Sequence, residues 1–234
     1  METPELYPGL MAGGAPAMWK GVLLKALGIV RPLVPAGSRV LEVGYGDGLL
    51  SCYLAHRLGW HLVGLEASPS ARRTAAGNAR RFGLSDRVEF RCCAPEETRR
   101  HHGRYDAVFV KTVLHNCPDL KDYGQWLDWI ISVMRPGGHF INFETGRANA
   151  LTQVYRRLRR RSYTDRCLYT REVERLYDAR FEIIDRRYYG GWSQFWAPVP
   201  ALYSLAAQVE EALHPRHADN AFIVSVIARR PVET

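Results

Sequence analysis

The sequence lacks several features that would settle its class at once. No apolar run approaches the ~20 residues of a membrane span. The opening residues, METPELYPGLMAGG, hold no basic start followed by an apolar block, so no secretory signal is expected and a cytoplasmic location is the default. The five cysteines (Cys52, Cys92, Cys93, Cys117 and Cys167) are odd in number and contain no CxxC spacing. That argues against a disulfide frame and against a zinc cluster, and reduced thiols are expected. His214 and His217 form an HxxH pair, but a proline interrupts it, so no metal site is expected. No internal repeat appears.

What is present fits an ordinary globular chain. The 234 residues are 47% hydrophobic and 24% charged, enough for one large domain or two small ones. The net charge of +8 is carried almost entirely by arginine. It would attract RNA, an acidic membrane surface or a phosphorylated substrate, and it is equally compatible with compositional bias.

Periodicity organises the chain. Residues 17–30 carry Trp19, Leu23, Leu27 and Val30 on one helical side, and a proline-bounded connection follows at 31–38. From there strands and helices alternate. Strands are expected at 39–43, 60–66, 87–92, 105–111 and 139–144. Helices are expected at 48–58, from Ser68-Pro69 to about Phe82, and at 121–134, with RPGG as a stop and turn. This alternation implies right-handed crossovers and a parallel sheet. After residue 147 the pattern changes. An arginine-rich helix is expected at 147–161, and a shorter helix is expected to follow an N-cap at Thr170. Two further strands are expected within 179–189 and 221–230, separated by an aromatic insertion. Helix 200–213 places Leu202, Leu205, Ala206, Val209 and Leu213 on one face, expected to be core.

The stretch RVLEVGYGDGLL, residues 39–50, concentrates the chemistry. A buried strand ends at Gly44, and Gly46 and Gly48 follow at alternate positions. In open α/β sheets ligands lie beyond the carboxyl ends of the strands. Glycines there let the backbone turn and let a ligand lie against it, and the next helix offers free N–H groups. A dinucleotide prefers GxGxxG, whereas this spacing is GxGxG with Leu at position 49. Glu66, ending the second expected strand, is placed to bind the two hydroxyls of a ribose.

VLEVGYGDG with GLEAS resembles the cofactor motifs of the class I S-adenosylmethionine-dependent methyltransferases. YDAVFVKTVLHN and MRPGGHFINFE resemble that family's fourth- and fifth-strand motifs, in the same order. The resemblance covers residues 36–145 well and residues 179–230 more loosely. It implies an α/β fold: a Rossmann-like, doubly wound seven-stranded sheet, mostly parallel with the last strand antiparallel. It divides the chain into an N-terminal segment, 1–35, capping the cofactor site, and a methyltransferase domain, 36–230, with substrate-side insertions at 145–170 and 188–215. It also implies S-adenosylmethionine as cofactor and assigns roles. Gly44, Gly46 and Gly48 pass beneath the methionine portion and ribose. Glu42 braces the loop or reaches the amino group through water, and Asp47 approaches that group. Glu66 accepts from the ribose hydroxyls, and Ala67 and Ser68 border the adenine. Lys111 places its carbonyl near the methionine amine. One departure is clear: many members carry an acid after the third strand, and this chain has Cys92-Cys93-Ala94. Backbone groups of Cys93 and Ala94 remain for the adenine, with Glu96 and Glu97 nearby.

The acceptor is less defined. There is no NPPY-like run after the fourth strand, which argues against methylation of adenine or glutamine amino groups, and Lys111 stands where metal-dependent relatives place an aspartate. His115 is the candidate base and Asn116 a candidate for orienting the acceptor. Tyr7 and Trp19 are candidates for closing over the site. Tyr188, Tyr189, Trp192, Phe195 and Trp196 are candidates for an aromatic acceptor wall. The expected reading is an enzyme acting on a small molecule, natural-product or lipid-like. The competing readings are an RNA or protein acceptor, or contact with an acidic membrane surface, through Arg156, Arg157, Arg159, Arg160 and Arg161, and a non-catalytic partner subunit with the same fold.

Overall fold

The computed structural model describes residues 16–93, 104–146, 154, 168–190, 193, 196, 199–213 and 217–232. Tyr7, Ala94, Glu96, Glu97, the five arginines of 156–161, Cys167, Trp192, Phe195 and His214 lie outside them. The described elements are α1 (Pro16–Leu33), β1 (Arg39–Val43), α2 (Leu49–Leu58), β2 (His61–Glu66), α3 (Pro69–Arg81), β3 (Val88–Cys92), β4 (Tyr105–Lys111), α4 (Leu120–Val133), β5 (Met134–Thr145), α5 (Arg171–Asp178), β6 (Glu182–Tyr189), α6 (Pro200–Leu213) and β7 (Ile223–Arg229).

The helices begin and end where the local chemistry dictates. The Ser68 hydroxyl accepts from the Ala71 N–H and Pro69 occupies the first turn of α3, where a missing N–H costs nothing. Asp119 caps α4 by accepting from Asp122 N–H at 2.8 Å. Thr170 does stand at the N-terminus of α5, but its hydroxyl makes no capping bond there.

The seven strands form one sheet in the order β3-β2-β1-β4-β5-β7-β6. Pairs β1–β2, β1–β4, β2–β3 and β4–β5 are parallel, and β7 runs antiparallel between β5 and β6. This is the doubly wound arrangement the motifs imply, with the last strand reversed. Successive strand residues face opposite ways, so alternate side chains serve two cores. Val40, Phe109, Ile141 and Ile227 pack with α1, α2 and α3, whereas Leu41, Val108, Phe140 and Val226 pack with α4 and α5.

Two expectations are corrected here. RPGG does not separate a helix from a later strand, because β5 already begins at Met134. Tyr105 pairs with Met134 and Ala107 with His139, so the extra residues bulge out of a continuing ladder. The apolar stripe of α6 is not core: Leu202, Leu205, Val209 and Leu213 are exposed, and only Ala206 of that set is buried. The helix instead turns Glu210 inward, where it accepts the hydroxyl of buried Ser193 at 2.5 Å.

The chain leaves the sheet twice at the same edge. Thr145 of β5 pairs with Ile223 at the start of β7, and Ile223 pairs with Tyr189 at the end of β6. The chain therefore leaves the sheet after Thr145 and after Tyr189 at the carboxyl edge of the parallel strands, the edge that carries the glycine loop.

Candidate active site

The loop after β1 is held from three sides. Tyr45 is buried, its ring 4.6 Å from that of Phe90, and its hydroxyl donates to the Arg91 carbonyl at 3.2 Å. Asn78 donates to the Asp47 carbonyl at 2.9 Å, and the Asp47 carboxylate accepts from Leu49 N–H at 3.1 Å, at the N-terminus of α2. Glu42 lies beneath, 2% exposed, and accepts the Ser51 hydroxyl at 2.5 Å. Burial pushes its carboxyl up to about 7, with the Ser51 hydrogen bond opposing the shift.

The three glycines serve different purposes. A Cβ on Gly44 would sit 2.4 Å from the Val113 side chain, and one on Gly48 would sit 2.6 Å from both Ala75 and Phe90. Protein packing explains both. A Cβ on Gly46 would meet no protein atom within 4 Å. Its φ of +56° requires glycine's freedom, and its bare face opens on the space beyond the sheet. Gly46 is thus the glycine whose open side a ligand can occupy.

Glu66 joins this loop to the next. One carboxylate oxygen accepts from Ala67 N–H at 2.9 Å and Ser68 N–H at 3.4 Å, and the other accepts from Gly46 N–H at 3.4 Å. Beside it lies a cleft of about 140 Å³. Val43 and Gly44 line it from the end of β1, Leu65, Glu66 and Ala67 from β2, Cys93 from beyond β3, and Val113 from beyond β4. Trp126 and Trp129 of α4 close it, edge to face with centroids 5.3 Å apart. The mostly apolar slot suits a flat heterocycle, with the Glu66 carboxylate at its rim for hydroxyl groups. Cys93 donates its N–H to the Glu66 carbonyl at 3.2 Å, and the partly buried thiol of Cys92 contacts the Ala67 carbonyl at 3.5 Å. Ser68 is a helix cap rather than a wall of the cleft.

Beyond β4 the chain is pinned by a residue the sequence reading passed over. Glu144 of β5 is fully buried, and its carboxylate accepts from the N–H groups of Val113 (3.0 Å), Leu114 (2.8 Å) and His115 (3.2 Å). His115 Nδ1 lies 2.9 Å from the same carboxylate. In the neutral ring, a proton on the Nδ1 that faces the carboxylate leaves Nε2 as the acceptor. His115 is 6% exposed and sits in a short 3-10 turn, Leu114–Asn116. The exposed Asn116 side chain folds back to donate to the Val113 carbonyl at 3.0 Å. The one sequence signal for Glu144 is an acid within the apolar run HFINFE, the same anomaly that Glu42 makes in RVLEV.

Lys111 ends β4 beside this turn. Its carbonyl accepts the Thr112 hydroxyl at 2.7 Å, and Thr112, a β-branched residue, is held at a φ of +55°. Its ammonium stands over the ring of buried Trp19, 4.6 Å from the centroid. Tyr188 lies away from the cleft: its hydroxyl donates to Glu174 of α5, which also pairs with Arg186 at 2.6 Å. Trp196 is 46% exposed. Among the described residues no group of three or more His, Cys, Asp or Glu side chains is placed to hold a metal, and no helix is long and apolar enough to cross a membrane.

This geometry defines a Rossmann-like domain with a bare glycine beside a glutamate carboxylate and an apolar cleft at the carboxyl edge of its sheet. Comparison with known proteins narrows it. Residues 40–138 match the family model of a methyltransferase domain. A ubiquinone biosynthesis O-methyltransferase of Marinobacter nauticus (strain ATCC 700491 / DSM 11845 / VT8) is 34% identical over 107 residues, 44% of this chain and 42% of the relative, so the match spans less than half of that protein. A solved SAM-dependent methyltransferase from Methanosarcina mazei superposes with a TM-score of 0.64 at 20% identity, over 88% of this chain and 98% of that one. The [4+2]-cyclase SpnF superposes with a TM-score of 0.62, also at 20% identity, over 95% and 86%. The match to a methyltransferase domain over residues 40–138 agrees with the class I S-adenosylmethionine-dependent methyltransferases that the motifs resemble, and the solved structures share the fold.

Proposed function

We propose that the protein transfers a methyl group from S-adenosylmethionine to a small, largely apolar acceptor at the carboxyl edge of its sheet. The observation that carries this reading is the open side of Gly46 next to the Glu66 carboxylate and the apolar cleft. In it Glu66 holds the ribose hydroxyls, and Ala67 and Cys93 flank the adenine beneath Trp126 and Trp129. Gly44 and Gly46 let the ligand lie against the backbone, and Glu42 and Asp47 favour the positive amino group of its tail. When bound, the cofactor supplies a methyl group on a positive sulfur, so the leaving group needs no activation. The protein's task is to align the acceptor and exclude water.

For a hydroxyl acceptor, His115 Nε2 takes the proton, Glu144 fixes the ring and its tautomer, and Asn116 orients the acceptor. The exposed apolar side chains of α6, in the segment between β6 and β7, support a lipid-like compound. The similar O-methyltransferase of ubiquinone biosynthesis supports the same class. The fold alone does not fix the reaction, since the cyclase SpnF shares it. A macromolecular acceptor would bind through arginines outside the described residues, with an affinity that falls steeply with salt.

The test is transfer of labelled methyl from S-adenosylmethionine to an alkyl-substituted catechol. His115→Ala is expected to slow transfer about 10²- to 10⁴-fold, the usual worth of a general base, while S-adenosylhomocysteine still binds. Full turnover in that variant would leave the histidine a packing role alone.

A further inference from the structure

Arginine is not spread evenly over the fold. Strands β1, β2, β3 and β4 are parallel, so their first residues share the amino edge of the sheet, opposite the glycine loop. In the spatial order β3-β2-β1-β4, that edge presents Arg87, His61, Arg39 and Arg104, all exposed and each at or just before a strand start. Arg39 and His61 are partners in the ladder, and the Leu62 N–H donates to the Arg87 carbonyl. With neighbouring strands about 4.8 Å apart, the row spans about 14 Å. Helices α1, α2 and α3 each lead back to the start of the next strand. Their last turns add the exposed Arg31, Arg57 and Arg80 to the same edge.

The acids on this edge mostly have other partners. Glu89 holds Arg91 at 2.7 Å, Asp106 holds Arg135 at 2.8 Å, and Glu182 holds Arg229. Among the described residues Arg31, Arg39, Arg57, Arg80, Arg87 and Arg104 make no ion pair. The Arg39 guanidinium rests over the Tyr105 ring, 5.3 Å from its centroid. An open hollow of about 600 Å³ lies here, lined in part by Arg39, His61, Asp86 and Arg87. Asp86 alone does not balance six arginines, so the edge is positive. A surplus of arginine in the composition would load both edges alike. The carboxyl edge instead carries Asp47, Glu66, Asp119 and Asp122 against Lys111 and Lys121, and Arg171 there is paired with Asp219 at 3.1 Å. Complementing the helix dipole accounts for Arg31, Arg57 and Arg80. It does not account for Arg39, Arg87 and Arg104, which stand at strand starts.

We infer that the amino edge binds the phosphate backbone of a nucleic acid, with Arg39, Arg87 and Arg104 as its central contacts. Guanidinium groups grip phosphate oxygens with paired, planar donors, and the row contains no lysine. Among the described residues no large apolar side chain is exposed along the row, so it offers neither an anchor for a protein partner nor a platform for stacked bases. Contact is therefore to phosphate and independent of base sequence. An acidic bilayer fits less well, because the apolar cleft opens at the opposite edge and would face away from it. Strands of five to seven residues set the two edges about 20 Å apart. The nucleic acid is thus a tether and not the methyl acceptor, and nothing in this surface depends on the methyl-transfer reading.

Fluorescence anisotropy of the full chain with a labelled poly(U) strand of about 20 nucleotides tests this. The wild type is expected to bind, with an affinity that falls steeply as salt rises. Arg39→Gln/Arg87→Gln/Arg104→Gln removes three phosphate contacts. The slope of log affinity against log salt should shrink by about 2, and affinity at low salt should fall by about tenfold or more. Arg39→Lys/Arg87→Lys/Arg104→Lys keeps the charges and should keep the slope. No binding by the wild type, or an unchanged slope in the glutamine variant, would overturn the inference. A slope lost equally in the lysine variant would overturn it too, by tracing the effect to the fold rather than to charge. Binding of phosphatidylglycerol vesicles in preference to the oligonucleotide would replace it with a membrane contact.

Discussion

Glu144→Ala is expected to destabilise the protein by about 3–5 kcal/mol, the scale for breaking a buried charged network. The carboxylate accepts from three consecutive N–H groups and faces the His115 ring. Alanine would remove every acceptor and leave at least two buried donors, Leu114 N–H and His115 N–H, unsatisfied. Each such donor costs about 1–3 kcal/mol. Glu144→Gln keeps one acceptor oxygen and should fall between the two. Urea denaturation checks this through the midpoint at unchanged slope. A loss below about 1 kcal/mol would mean that the turn does not depend on this carboxylate.

Gly48→Ala should be nearly as damaging. Gly48 has a φ of +73°, where an L-residue costs roughly 1–2 kcal/mol. The added Cβ would also sit 2.6 Å from Ala75 and Phe90 and 3.0 Å from the Ala75 backbone, and such overpacking costs about 1–3 kcal/mol. The sum is a loss of about 2–5 kcal/mol in the denaturation midpoint. Because α3 and β3 must shift to relieve the contact, the loop should also lose its grip on ligand. A variant as stable as the wild type would show that the contact to α3 and β3 relaxes freely.

These two residues mark how far the sequence could be read. The five parallel strands and the loop of 44–48 were legible because apolar runs and glycine spacing are local properties, whereas the reversal of β7 was implied only by the family resemblance. Glu66 was legible because its strand ends there. Glu144 was not, since its partners lie 29 to 31 residues earlier and meet it only through the β4–β5 pairing. The division of labour among the glycines was hidden for the same reason: Val113, Ala75 and Phe90 approach from other elements. Trp126 and Trp129 read as an amphipathic helix, and nothing local said that they close a cleft. The α6 stripe misled because periodicity marks a helix face but not whether a neighbour covers it. Lys111 was assigned by its carbonyl, whereas its ammonium meets the face of Trp19.

The central claim is that the loop of 44–48 and Glu66 together bind the adenosyl group of S-adenosylmethionine. Calorimetric titration of the wild type and Glu66→Ala with S-adenosylhomocysteine tests it most directly, with NAD as the competing ligand. Wild type should bind the adenosyl compound and ignore NAD, and Glu66→Ala should lose about 1–3 kcal/mol of affinity. Unchanged affinity in the variant, or tight binding of NAD instead, would contradict it.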